Sequence, residues 1–333
     1  MKLPSIERKT LVRGVSVVAA LGLLVVVIAD RGEAARALRV VMHVRPGWLV
    51  LVAVLQIAFF FLTARMWLSI GKLLREPTSS LAGLFRLSLA TTFADLTMPT
   101  GGVAGYAFLE RGLRARGLST IGAPEVAALE LLGFYAAQLL AVVASMIVFV
   151  VRDQWSPAAR AVSIAALVVA LVTPLVVLTA STAVIRLLPA RLREKRFVAH
   201  VAQLHEELVA TVRRGPRYVL VPALYKIAMY VVQGLAFAAS FAAFGERLPA
   251  DEAVAIHTVA TTAVTATFLP GGIGGFEAAS IILSRAAHAS DAGALSAVLF
   301  FRALTFWLPL VPGAIATQLE LRSFEKIGQP SNA

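Results

Sequence analysis

The sequence predicts an all-α, polytopic membrane protein with about six full transmembrane helices plus two re-entrant helical hairpins in an inverted repeat. Three observations carry this expectation. The 333-residue chain is 59% hydrophobic and 15% charged, with mean hydropathy +0.81, and its apolar runs reach the ~20 residues needed to cross a bilayer. A Gly-rich motif occurs twice, TTFADLTMPTGGVAGY at 91–106 and TTAVTATFLPGGIGGF at 261–276, with six identities in sixteen ungapped positions at an offset of 170. The same offset carries the apolar run 47–70 onto 217–240 and 124–151 onto 294–321, so whole structural units repeat and not only the motif.

Taken in order, full spans are expected at 11–29, 47–70, 124–151, 159–183, 217–244 and 292–318. The first is read as a retained span, because the signal-like site Ala35-Arg36-Ala37 lies far from its apolar run. Segments 81–121 and 252–288 each hold one motif copy. A Gly-Gly loop inside an apolar stretch exposes backbone groups that lipid leaves unsatisfied, so it belongs in protein or beside a cavity, and both segments are read as re-entrant hairpins. The first repeat then covers 1–155 and the second 156–322, with a cytoplasmic tail at 323–333. Each half is two spans, a hairpin and a third span. Three crossings per half is an odd number, so the second half enters from the opposite side and the hairpin tips approach one another near the midplane, as in alternating-access transporters.

Charge sets the orientation. With the N-terminus inside, the cytoplasmic pieces hold twenty Lys and Arg against seven on the opposite side, which the positive-inside rule reads as both termini cytoplasmic. The net charge of +12 is accounted for in the same way, by cytoplasmic loops facing anionic headgroups, so nucleic acid is not an expected partner. Segment 184–217 carries eight Lys and Arg and reads either as an amphipathic helix on the inner leaflet or as a solvated linker.

Several function classes drop out. With no cysteine, there are no disulfides, thiolate metal sites or Cys nucleophiles. Nucleotide-binding P-loops and zinc-protease helix motifs are missing, and the five histidines lack ligand spacing, so no metal, cofactor or catalytic residue is expected. The GGIGG string follows no strand and opens no βαβ unit, which excludes a dinucleotide fingerprint.

Candidate binding residues cluster at the two breaks. Pro99, Gly101 and Gly102 in the first motif, and Pro270, Gly271, Gly272, Gly274 and Gly275 in the second, break the helix and let backbone approach a ligand. A helix restarting after each Gly-Gly offers free N–H groups and a positive dipole end to an anion, for which a lipid phosphate is the obvious occupant. Close helix packing is the alternative role for these glycines. Thr97 and Thr267, matched across the repeat, either bond a headgroup or bond back to their own helix carbonyls. Ionisable residues within the bilayer are costly and so are functional candidates: Asp95, Glu130, Lys226, Glu277 and Arg302, with His257 a weaker member. Glu277 and Arg302 either pair with each other or leave Arg302 to a substrate phosphate, while Lys226 is expected to snorkel to the headgroups.

The strings FLPGGIGGFE at 268–277, MPTGGVAGY at 98–106 and FRALTFWLPLVPG at 301–313 resemble the lysylphosphatidylglycerol synthase/flippase transmembrane-domain family over essentially the whole chain. The resemblance implies a flippase-like protein of a bacterial-type plasma (inner) membrane that moves an anionic or aminoacylated phospholipid, or another lipid carrier, between leaflets. Pro270, Gly271, Gly272, Gly274, Gly275 and Glu277 match the second family motif, and Arg302 matches the arginine of the last span. Where the family's first motif often carries an acid soon after the Pro, this chain has Gly102-Val103. With fifteen residues after the last expected span, the soluble aminoacyl-transfer domain is expected to be absent, so the chain is read as a transporter and not an enzyme. The alternative is a non-transporting membrane partner that presents a lipid-linked substrate to a separate aminoacyl- or glycosyltransferase.

Overall fold

The computed structural model describes residues 44–77, 79–97, 103–187, 215–265 and 272–327. The expected span 11–29 and most of segment 184–217 lie outside the described residues. Among the described residues every regular element is helical: α1 Pro46–Leu73, α2 Leu81–Thr97, α3 Val103–Arg114, α4 Gly122–Val151, α5 Pro157–Leu187, α6 Arg217–Ala242, α7 Ala250–Thr265, α8 Gly275–Ala286, α9 Asp291–Arg302 and α10 Leu308–Ile327. A five-residue π turn, Ala303–Trp307, joins α9 to α10. The last span, expected as 292–318, is therefore one continuous helical rod of two α segments around a π turn, reaching beyond the expected end.

Local chemistry explains where the helices begin and stop. Pro46 and Pro157 sit at the first helical turn of α1 and α5, where a missing N–H costs nothing. The Ser80 and Ser156 hydroxyls accept from the N–H groups of Gly83 (3.1 Å) and Ala159 (3.2 Å), capping α2 and α5. After α1 the chain turns through Arg75 at φ 60°, and after α6 through Gly245 at φ 79°, both in the left-handed region that stops a helix.

Among the described residues, five stretches are long and apolar enough to cross a bilayer: Pro46–Leu73, Gly122–Val151, Pro157–Val176, Arg217–Ala242 and Asp291–Phe324. Their outward faces are apolar. On α1 the exposed Val50, Val54, Ile57 and Phe61 recur at helical spacing, as do Leu140, Val143 and Ile147 on α4, and Leu308, Val311, Ile315 and Leu319 on α10. Such stripes would be a liability in water and are the expected surface against lipid tails. The chain is a multi-pass membrane protein.

The order of elements recurs along the chain. α1, α2, α3 and α4 start at 46, 81, 103 and 122, and α6, α7, α8 and α9 at 217, 250, 275 and 291, each 169 to 172 residues later. Packing is reciprocal as well. α1 packs on its counterpart α6; α4 packs on α7, and α10, which continues α9, packs on α2. Each half's closing helix thus covers the other half's broken pair. Two apolar cores result: one around Phe237, Phe241, Ile256, Val259 and Phe300, the other around Met66, Trp67, Leu87, Leu113 and Leu129.

A matched polar clasp closes each half. Ser119 donates to Glu76 (2.7 Å) and accepts from Gly122 N–H (2.8 Å) at the start of α4. Ser290 donates to Glu246 and accepts from Gly293 N–H (3.1 Å) at the start of α9. Both glycines let the carboxylate come close, since a Cβ on Gly122 or Gly293 would lie 2.1 Å from the Glu76 or Glu246 oxygen and would displace that side chain. At the end of α4, Arg152 binds Asp251 on the first turn of α7 at 2.7 Å. Burial alone would raise the Asp251 carboxyl, but the hydrogen bond and charge of Arg152 outweigh it and hold the group below its usual value.

Candidate functional site

Each motif region holds two helices, α2 and α3 in the first and α7 and α8 in the second, and the two helices of each pair pack on each other. Pro99, Gly101, Gly102, Thr267, Pro270 and Gly271 lie outside the described residues. Around them, the described residues build two polar centres, one in each half.

The second centre is built on α8 and α9. Gly272 and Gly274 have φ of 65° and 78°, a conformation that side-chain-bearing residues adopt only with strain. Gly274 then caps α8 without any side-chain bond. Gly275 opens the helix with a Cβ position only 2.8 Å from Val264 on α7, so the helix start lies tight against the preceding helix. Glu277, in the first turn of α8, forms an ion pair with Arg302 at the end of α9. Both are buried, at 8% and 7% exposure. The Arg302 guanidinium lies 4.2 Å over the Phe306 ring and 5.4 Å over Phe276. Phe306 belongs to the π turn directly after Arg302, and such one-turn irregularities commonly re-aim side chains at functional sites. Behind the pair, Phe276 stacks on Phe301 at 5.8 Å, and buried His257 meets both rings edge-on.

The first centre is assembled differently. Asp95, near the end of α2, accepts from Gly105 N–H (2.9 Å) in the first turn of α3, so this helix start is served by the chain's own carboxylate. That differs from the expected open anion site. A Cβ on Gly105 would sit 2.1 Å from the Asp95 oxygen, so any larger residue there displaces the Asp95 carboxylate. Asp95 lies on an apolar helix, where a carboxylate without a partner is costly, and the Gly105 N–H supplies one. Lys226 on α6 does not snorkel. It reaches across to Glu130 on α4 at 2.7 Å, and Glu130 also accepts from the Trp67 indole at 2.5 Å. The reason is energetic: a buried carboxylate without a partner costs more than a held lysine side chain.

Thr97 is 1% exposed and bonds back to Phe93 O at 2.7 Å. Thr91 and Thr265 do the same to Ser88 O and Thr261 O. Their hydroxyls are thus engaged within their own helices. Sequence reasoning brought Glu277 and Arg302 together but missed the Trp67–Glu130–Lys226 unit, the two clasps, and the contact of buried Glu320 with Arg86 and Arg116. The clasps had a readable signal, since Glu76 and Glu246 are identical at the repeat offset of 170. The other contacts join positions 63 to 234 residues apart and leave no local pattern.

By helix rise, Arg302 lies ~16 Å along the rod from its start, and Lys226 ~14 Å along α6. Both lie well inside stretches long enough to cross a ~30 Å hydrocarbon layer. The arrangement can hold one cation in each centre, each masked by an internal carboxylate. It offers no metal cluster among the described residues. No curated protein matches the chain. A family model described as the lysylphosphatidylglycerol synthase TM region matches residues 12–313.

Proposed function

The chain belongs to the lysylphosphatidylglycerol synthase TM-region family, and from that premise we propose that it is a flippase-like transporter moving a phospholipid, or another lipid with an anionic phosphate, between leaflets. The observation that carries this reading is the Arg302–Glu277 pair, buried beside the Gly-rich start of α8, which has no side-chain cap. An incoming phosphate would exchange with Glu277 on the guanidinium and accept from the first N–H groups of α8. Gly274, beside which a Cβ would meet nothing within 4 Å, leaves room for that approach, and the proposed binding set extends to Thr267, Pro270 and Gly271 of the second motif and Pro99, Gly101 and Gly102 of the first.

The proposed architecture is six spans and two re-entrant hairpins in an inverted repeat, divided at about residue 155. The recurring element order, the reciprocal packing and the matched clasps support it. So do the polar ties that join the ends of elements. α3 returns to the end where α1 finishes, through Ser119 and Glu76, while α8 leads to Ser290 and Glu246 where α6 finishes. Both termini are proposed to be cytoplasmic in a bacterial-type plasma membrane, from the Lys and Arg balance. The phospholipid is proposed to be anionic or aminoacylated, and alternating access carries its headgroup while the acyl chains stay in lipid.

The test is translocation of headgroup-labelled phospholipids, with and without an aminoacyl group, in proteoliposomes. Wild type is expected to move lipid, and Arg302→Ala and Gly272→Leu to abolish movement while remaining folded. Absence of any movement by folded wild type would overturn the transporter reading and favour a partner that presents lipid to a separate transferase.

A further inference from the structure

We propose that Glu320 with Arg86 and Arg116 forms a latch that holds the α2–α3 pair shut against α10, and that this latch opens in each transport cycle; the inference rests on the transporter reading above. Glu320 is 0% exposed. Its carboxylate accepts from Arg86 Nε at 2.7 Å and from both terminal nitrogens of Arg116 at 2.6 and 2.9 Å. Arg116 in turn donates to the carbonyls of Gly83, at the start of α2, and Gly112, near the end of α3, each at 2.8 Å. One guanidinium therefore ties both helices of the pair to a carboxylate on the last helix.

The latch adjoins a dry seam. The Thr317 hydroxyl lies 3.5 Å from Ala90 O, and a Cβ on Gly313 would lie 3.0 Å from Leu89 O and 2.8 Å from Phe93. Phe108 packs on Phe324 at 5.4 Å, with Arg111 over the same ring. The opposite end of the bundle is held otherwise. There Arg152 and Asp251 are 45% and 43% exposed, with Glu252 a further 3.7 Å contact. A half-exposed pair is already hydrated, and parting it costs little. In the Glu320 cluster Arg86 is likewise 44% exposed, but Arg116 and Glu320 are 12% and 0% exposed. Partial separation of that inner pair strands a buried charge, whereas full separation lets water reach both groups. Such a contact has two stable arrangements, closed and flooded, with a poor intermediate between them, which is the behaviour required of a gate. In this structure it is closed.

The chain has no cysteine, so introduced thiols report without background. A Thr317→Cys reporter, in a seam where Thr317 is 5% exposed, is expected to react slowly with a maleimide in the otherwise native protein and more than about tenfold faster beside Glu320→Gln. Separately, an Arg86→Cys/Glu320→Cys protein joined by a short reducible bis-maleimide is expected to bind lipid but not translocate it, and to recover on reduction. Equal labelling with and without Glu320→Gln, or undiminished translocation by the tethered protein, would overturn the latch. Should wild type move no lipid while the labelling difference persists, the latch stands as a conformational contact and the transporter reading fails.

Discussion

Arg302 is held in three ways at once: by the Glu277 carboxylate, by the Phe306 ring at 4.2 Å and by the Phe276 ring at 5.4 Å. A lysine there keeps the charge but loses the planar stacking, worth about 0.5–2 kcal/mol. Arg302→Lys is therefore expected to retain a folded protein and part of the translocation rate, where Arg302→Ala retains none; equal rates for Lys and Ala would show that charge is not what the site uses. In the first half the test is one of stability. Lys226→Met strands Glu130 and is expected to cost about 3–5 kcal/mol, most of it recovered in Lys226→Met/Glu130→Gln, as read from melting in detergent. Glu277 and Arg302 were legible as candidates because ionisable residues stand out in apolar runs. That Lys226 binds Glu130 was not legible, because the partner lies on another helix and a lysine ten residues into a span reads equally well as snorkelling.

At the scale of elements, the Ser caps do matched work in both halves. Ser119→Ala and Ser290→Ala each remove an acceptor for a first-turn N–H and a donor to a glutamate, and each is expected to lower stability by about 1 kcal/mol. A large loss at one clasp with none at the other would argue against equivalent roles. The helical spans 47–70, 124–151 and 217–244 were legible to within a few residues, since continuous hydropathy with terminal Pro, Ser or basic residues marks them. That each motif region holds two helices and not one was legible from Pro and Gly. The π turn at Ala303–Trp307 was not, because it is a change of hydrogen-bond register within an unbroken apolar run.

At the scale of the molecule, the proposed inversion has a direct topological test. Pro77 and Arg247, both exposed, are separated by the repeat offset of 170 and follow α1 and α6 respectively. Single cysteines from Pro77→Cys and Arg247→Cys are expected to react with a membrane-impermeant reagent from opposite faces of the membrane; labelling from one face would exclude inverted halves. The repeat itself was legible from sixteen residues of motif, but the way the halves engage was not, since sequence similarity between copies says nothing of which copy packs on which. That engagement governs how the protein comes apart. With α4 covering α7 and α10 covering α2, each half loses the helix that covers its paired helices once the other has melted. The two halves consequently form a single cooperative unit, expected to unfold in one transition and to lack the half-melted intermediate that two independently stable domains would populate.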